Sequence, residues 1–243
     1  MTRRRRPVGM KTRLAAIITA LSIILLAVGW QDAEGAEAKS QLPDWRRYAA
    51  LSKESGEAPI IALVIDDLGH SEREFKRVMA LGEGITLAFL PYPERAPELA
   101  GRARENGFEI LVHMPMEPTD KSADPGPNAL LTGIGDGELM RRLSHNLARL
   151  SGYVGINNHM GSKFSQNGHA MALVLNELEV RGLLYLDSVT IGSTVGARLA
   201  EISRMPYASR DVFLDSVAEQ SFVEGQLRQL ERIQFNPVHI RLR

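Results

Sequence analysis

An α/β domain built on about six or seven mostly parallel strands is predicted by three features of this sequence. Short apolar runs rich in β-branched residues recur along the chain, the pattern of strands buried on both faces. Stretches of ten to fifteen residues with helical spacing separate them. Gly, Pro, Asp and Asn gather at the junctions, where turns need them. Strands alternating with helices imply a parallel sheet, open or closed into a barrel.

The first strand is read over residues 60–66, a continuous apolar run ending in Asp66. Residues 71–81 follow with helical spacing, Ser71 serving as N-cap with Glu74 three positions on. A second strand at 85–91 leads to a helix over 94–106, which Gly107 stops. The third strand covers 109–115. Pro, Gly and Asp crowd residues 118–135, predicting a long surface loop. Residues 136–150 place Leu139, Leu143, Leu147 and Leu150 on one helical side. A strand at 153–157, a helix at 168–181, a strand at 183–187 and a helix near 194–203 come next. A short strand around 212–214 and a helix over 216–233 complete the domain.

Charge separates the chain into unlike parts. Lys and Arg total 29, matched by 29 Asp and Glu, yet six of the cations lie within residues 1–13, which carry no acid. The remainder is acidic, with a net charge of about −6. Nucleic acid is therefore not an expected partner, since phosphate binding needs a clustered basic surface. There is no Cys, which excludes a disulfide scaffold, a thiolate zinc site and a thiol nucleophile.

Behind the basic start, Leu14 to Trp30 is uncharged, and small residues follow up to Ala36-Glu37-Ala38. This is the grammar of an export signal with an A-x-A-like cleavage site, or of an uncleaved anchor. Either form places the body outside the cytoplasm, in the periplasm or on the outer face of the inner membrane, the anchor being residues 14–30. The expected organisation is an export signal or anchor at 1–38, a polar linker at 39–58 and a folded domain from 59 to 243.

The chemistry is concentrated where strands end, the side on which parallel α/β folds bind ligands. The first strand ends in Asp66-Asp67, the third in His113 and Glu117, the fourth in Asn157-Asn158-His159 and Ser162. The fifth ends in Asp187, and Arg210, Asp211 and Asp215 bracket the sixth. Each has a structural explanation when taken alone. Either Asp of the pair, or Asp187, can cap a helix; His113 can be a satisfied core histidine; His159 can sit in a turn. His70, His145 and His169 are read as surface residues. Together, a carboxylate and two imidazoles from neighbouring strands suit a Zn²⁺-like ion with an open coordination position.

The segments Ile65-Asp66-Asp67-Leu68-Gly69, Gly107 to Pro118 with His113-Met114-Pro115-Met116-Glu117, Asn157 to Ser162, and Leu186-Asp187-Ser188 with Thr190 resemble the divergent polysaccharide deacetylase family of the bacterial envelope. The resemblance runs from about residue 59 to 233, with the motifs in order. It implies a distorted (β/α) barrel and hydrolysis of acetyl groups on an envelope glycan, with a bound divalent metal, Zn²⁺ being the expected one. By the same resemblance Asp66 is the general base and Asp67 a metal ligand. The related deacetylases carry His-x-x-x-His, where this chain has His113 and then Glu117. His159 is therefore expected to supply the second imidazole, with Glu117 behind the ligands or as an alternative ligand.

Asp187 is expected to steady a ligand imidazole, Arg210 to orient Asp66 or hold substrate, and Asn158 to stabilise the oxyanion. Ser162 and Asp211 are expected near the substrate. The chain lacks the late Gly-His-Pro motif of the resembled family and has only His239 near its end, so the barrel is expected to be incomplete there. Two other functions fit the same residues: a non-catalytic envelope protein that binds glycan or a protein partner, and a Mg²⁺-dependent phosphate-ester hydrolase.

Overall fold

The computed structural model describes residues 42–50 and 61–234. The expected signal or anchor, the linker residues 39–41 and 51–58, and His239 lie outside the described residues. Six strands are present: β1 Leu63–Leu68, β2 Ile85–Phe89, β3 Glu109–Met116, β4 Gly155–Met160, β5 Leu184–Asp187 and β6 Tyr207–Ser209. The helices are α1 Asp44–Arg47, α2 Glu72–Met79, α3 Ala96–Glu105, α4 Asp136–Leu147, α5 Gly168–Val180, α6 Gly196–Ser203 and α7 Gln220–Gln234. None of these helices is long and apolar enough to cross a membrane.

The sheet order is β1-β2-β3-β4-β5-β6, every pairing parallel. Strand order never reverses, so successive right-handed crossovers put their helices on one side and the sheet curls away from them. The result is a half-barrel with an outer helical layer, matching the incomplete barrel expected from the sequence.

Strand pleating sorts the side chains into two sets. Leu87, Phe89, Ile110, Val112, Met114, Ile156 and Tyr185 face the helices and pack with Leu99, Leu143, Leu147, Met171 and Leu178 in the main core. Each fully buried side chain of this kind stabilises the fold by about 1.5–3 kcal/mol. The register pairs Leu111 with Gly155, His113 with Asn157 and Asn157 with Leu186, so these residues share the opposite, inner face. Gly155 is required there, because a Cβ would lie 2.1 Å from the Leu184 carbonyl oxygen.

Helix starts follow their caps. Ser71 Oγ accepts from the Glu74 amide at 3.3 Å, as the sequence predicts, and Asn167 caps α5 through the Ala170 amide at 3.0 Å.

Two expectations are corrected. Residues 43–50 lie within the stretch read as linker, yet Trp45 and Tyr48 pack against Ala88, Leu111 and Val154 at the amino-terminal end of the strands. The Trp45 amide donates to the Gly182 carbonyl at 3.0 Å, and the Ala50 amide to Glu109 at 3.2 Å. The two aromatic side chains cover apolar surface that the open bottom of the half-barrel would otherwise expose. The sixth strand is not 212–214 but Tyr207–Ser209, whose register on Tyr185, Leu186 and Asp187 lets Tyr207 pack on the core. Residues 212–214 are left as irregular chain, with Phe213 52% exposed.

Candidate metal centre

Neighbouring residues of a regular strand point to opposite faces, so Asp66 and Asp67 could not both serve one site without a defect in β1. The defect is present. The β1–β2 register slips between Ile65 and Leu68, and Asp67 adopts φ 60°, in the left-handed region. A bulge of this kind re-aims a side chain at the end of a strand. Both carboxylates thereby reach the carboxyl-terminal rim of the inner face.

Asp67 Oδ1 lies 2.9 Å from His159 Nδ1 and 3.2 Å from His113 Nε2. The two imidazole nitrogens are 3.2 Å apart, and the rings meet edge to face at 4.9 Å. One ligand atom from each residue falls within 4.8 Å of the other two. His159 is held in this position because β4 runs through Met160, further than the sequence predicts, so its side chain alternates with Asn157 on the inner face.

Asn157 organises the centre from behind. Its Oδ1 is 2.9 Å from His113 Nδ1, and its Nδ2 donates to Asp66 Oδ1 at 2.8 Å. His113 Nδ1–H donates to that oxygen and leaves Nε2 facing Asp67: as imidazolium it donates Nε2–H to the carboxylate, and as the neutral ring it would offer that nitrogen to a metal. Hydrogen bonds from His113 and His159 hold the Asp67 carboxyl well below the usual carboxylate range. Burial alone would push the His113 imidazole down, but Asp67 and Asp66 outweigh it and the net direction is upward. One carboxylate and two imidazoles form the donor set of a Zn²⁺-class ion, and the Asp67 side chain is 64% exposed, leaving the outer side of the cluster open.

The remaining sequence-predicted residues are placed differently. Glu117 turns away from the cluster: its Oε2 accepts from the Thr132 amide and hydroxyl at 2.7 Å each, and its Oε1 pairs with Lys163 at 2.6 Å. It latches the 118–135 loop and is not a ligand in this arrangement. Asp187 pairs with Ser209 and accepts from Val189, Thr194 and Ala197 at 2.9, 2.8 and 3.3 Å. It caps the turn into α6; the residue that steadies His113 is Asn157. Asn158 faces the helical layer, donating to the Met160 carbonyl at 2.8 Å and accepting from the Ser188 amide at 2.8 Å. Buried and committed, it is not placed as an oxyanion donor.

Arg210 donates to the Ser188 and Val189 carbonyls at 2.6 and 2.8 Å, and Asn157 is the group that fixes Asp66. Ser162 Oγ accepts from the Thr119 amide at 2.9 Å, joining the loop after β3 to the turn after β4. Asp211 is exposed beyond β6.

Two residues of this rim had no role assigned from the sequence. Asn157 was legible from the two-residue period, standing two positions before His159. Tyr92, half-buried beyond the end of β2, lies against Gly126 of the 118–135 loop, where a Cβ would meet the ring at 2.6 Å. Burial, with the charges of Asp67 and Asp124, pushes its phenol upward and keeps it protonated at neutral pH.

Comparison with known proteins agrees with the geometry. The family model of divergent polysaccharide deacetylases matches residues 63–236. The chain is 36% identical over 176 residues to the uncharacterized protein YibQ of Escherichia coli K12, covering 72% of this chain and 52% of YibQ. It is 31% identical over 170 residues to an uncharacterized protein of Haemophilus influenzae Rd, covering 69% of this chain and 60% of that one. The match thus spans little more than half the length of these relatives. The crystal structure of an uncharacterized protein from Agrobacterium tumefaciens C58 superposes with a TM-score of 0.76 at 27% identity, covering 81% of this chain and 83% of that one. With the fold, the motif order and the family match in agreement, the chain belongs to the divergent polysaccharide deacetylase family.

Proposed function

We propose that this chain is an exported, metal-dependent hydrolase that removes acetyl groups from an envelope glycan. The observation that carries this reading is the convergence of Asp67, His113 and His159 on one point, with Asp66 beside them. A Zn²⁺-class ion held by these three residues would supply a Lewis acid for an acyl oxygen and acidify water. The chain's own groups do the rest. Asp66 is fixed at Oδ1 by Asn157 while its side chain stays 40% exposed, so water can reach it. It takes the proton of the attacking water and returns it to the leaving nitrogen or oxygen, which balances the hydrolysis. Asn157 holds both Asp66 and His113 and so keeps base and ligand in one register.

The test uses the full chain, stripped of metal and reloaded with Zn²⁺, on acetylated oligosaccharides. One zinc per chain and acetate release are expected. Asp67→Asn and His159→Ala lose the zinc, whereas Asp66→Asn retains it and loses about 10²–10⁴-fold in turnover. A folded wild-type chain that binds no metal and releases no acetate overturns the reading. The commitment of Glu117 and Asn158 to structural bonds favours a second reading, a glycan-binding protein without turnover, which predicts oligosaccharide binding with no acetate. Export through residues 1–38, or anchoring through 14–30, is checked by the intact mass and the cell fraction of the native protein.

A further inference from the structure

The segment after β6 carries an aromatic ring that the proposed chemistry does not use. Phe213 is 52% exposed, and the Arg210 guanidinium carbon lies 4.8 Å from its ring centre. Scattered exposed phenylalanines are ordinary. Three features distinguish this one.

First, the ring is not loose. Arg210 is itself fastened to the Ser188 and Val189 carbonyls at 2.6 and 2.8 Å, so the stacked pair is anchored on the β5 rim. A platform already held in place loses little entropy when a ligand settles on it. Second, the pair is continuous with the metal centre. Ser188 Oγ is 3.5 Å from Asn157 Nδ2, and Asn157 donates to Asp66 at 2.8 Å. Third, β6 is an edge of the sheet, because among the described strands β1 and β6 are not paired with each other. A chain-like substrate lying across the rim meets no further paired strand beyond β6 among the described strands.

An exposed aromatic face held in place beside a site for a polyhydroxylated substrate suits the C–H face of a pyranose ring. Those hydrogens carry partial positive charge and meet the negative face of the aromatic quadrupole. We propose that Phe213, braced by Arg210, is a stacking platform for a sugar unit flanking the one held at the metal centre. The inference rests on the glycan reading of the site and deepens it: the substrate is an oligomer that occupies more than one subsite.

The experiment titrates the full chain, zinc-loaded and in mild detergent, with tetra-N-acetylchitotetraose and separately with N-acetylglucosamine. Phe213→Ala is expected to weaken tetrasaccharide binding about tenfold, the scale of one aromatic contact. Affinity for the monosaccharide, zinc content and melting temperature stay at wild-type values, and Phe213→Trp restores tetrasaccharide binding. Equal tetrasaccharide affinity in wild type and Phe213→Ala overturns the platform, as does a wild-type chain that binds no tetrasaccharide. Acetate release measured in the same samples keeps the two ideas apart. Phe213-dependent binding without acetate removes the hydrolase and leaves the platform standing. Acetate release with an unchanged KM in Phe213→Ala does the reverse.

Discussion

By its resemblance to metal-dependent deacetylases Glu117 stands where a second histidine is expected, so its removal separates a ligand from a latch. Its carboxylate is 20% exposed, accepts two hydrogen bonds from Thr132 at 2.7 Å and faces Lys163 at 2.6 Å. Hydrogen bonds to a charged group contribute about 1.5–3 kcal/mol each, whereas a pair with a half-exposed lysine contributes at most about 1 kcal/mol. Allowing for non-additivity within one carboxylate, Glu117→Ala is expected to cost about 3 kcal/mol. At about 2–4 °C per kcal/mol for a domain of this size, the melting temperature falls by roughly 6–12 °C.

Glu117→Gln keeps a neutral acceptor for Thr132 but turns an NH2 toward Lys163, so about 1–2 kcal/mol is expected. The pH dependence has a definite sign. Burial raises the Glu117 carboxyl, but Lys163 and Thr132 more than offset this and its net direction is downward from 4.5. A depressed carboxyl contributes stability above its unfolded value and loses it as pH falls through the folded value. The gap between wild type and Glu117→Gln should therefore be full at pH 7 and close in acid below about 4.5. Thermal melts of the metal-free and zinc-loaded protein, with zinc content measured in parallel, make the assay. Loss of zinc in Glu117→Ala with an unchanged metal-free melting temperature would refute the latch and restore Glu117 as a ligand.

Three further outcomes are expected. In the metal-free protein the cluster stabilises the fold between about pH 3.8, above which Asp67 is charged in the unfolded chain, and about pH 6.5. The His113 contribution is complete below 6.5 and is lost as pH rises through its raised folded value, so melting temperature should decline toward pH 8; a flat profile from pH 5 to 8 counts against this. Asn157→Ala removes the partner of His113 and the anchor of Asp66 together, and zinc affinity by competition titration should fall about 10–100-fold. Trp45→Ala should cost about 1.5–2.5 kcal/mol by chemical denaturation, half the usual penalty for a fully buried tryptophan, because the ring is half-buried against Ala88, Leu111 and Val154. No change there would return residues 43–50 to linker status.

The parts of this molecule that could be read in advance are those governed by one-dimensional patterns. Apolar runs and helical spacing located all but one of the strands, because burial on both faces leaves continuous hydrophobic stretches. Asp67, His113 and His159 were legible because ligand-type residues at three strand ends meet on one rim in any parallel barrel. The errors arose from direction. Asn158 and Asp187 stand at strand ends just as Asn157 does, but pleating turns them into the helical layer, and one residue decides the face. That Asp66 and Asp67 share a face depends on a bulge, which no period announces. Trp45 and Tyr48 were missed because a four-residue helix is too short to show periodicity, although two aromatics in a polar stretch were visible.

Strain at the rim gives Asp187, Arg210 and Asn158 a structural role. Three non-glycine residues adopt positive φ at or just beyond strand ends: Asp67 at 60°, Met160 at 53° and Val189 at 46°. Each costs on the order of 1–3 kcal/mol, and β-branched Val189 is the least suited to that conformation. Such backbone persists only where its surroundings over-determine it. Asp187 accepts from the Val189 amide, Arg210 donates to the Ser188 and Val189 carbonyls, and the Asn158 amide donates to the Met160 carbonyl. The strand-end residues that resemble catalytic groups are thus the ones that hold strained backbone in place around the cluster. Their contribution to activity would run through the position of the turns they hold. Asp187→Asn should therefore lower the melting temperature and zinc retention together, whereas loss of turnover in a fold and metal site both intact would mark a direct part in the chemistry.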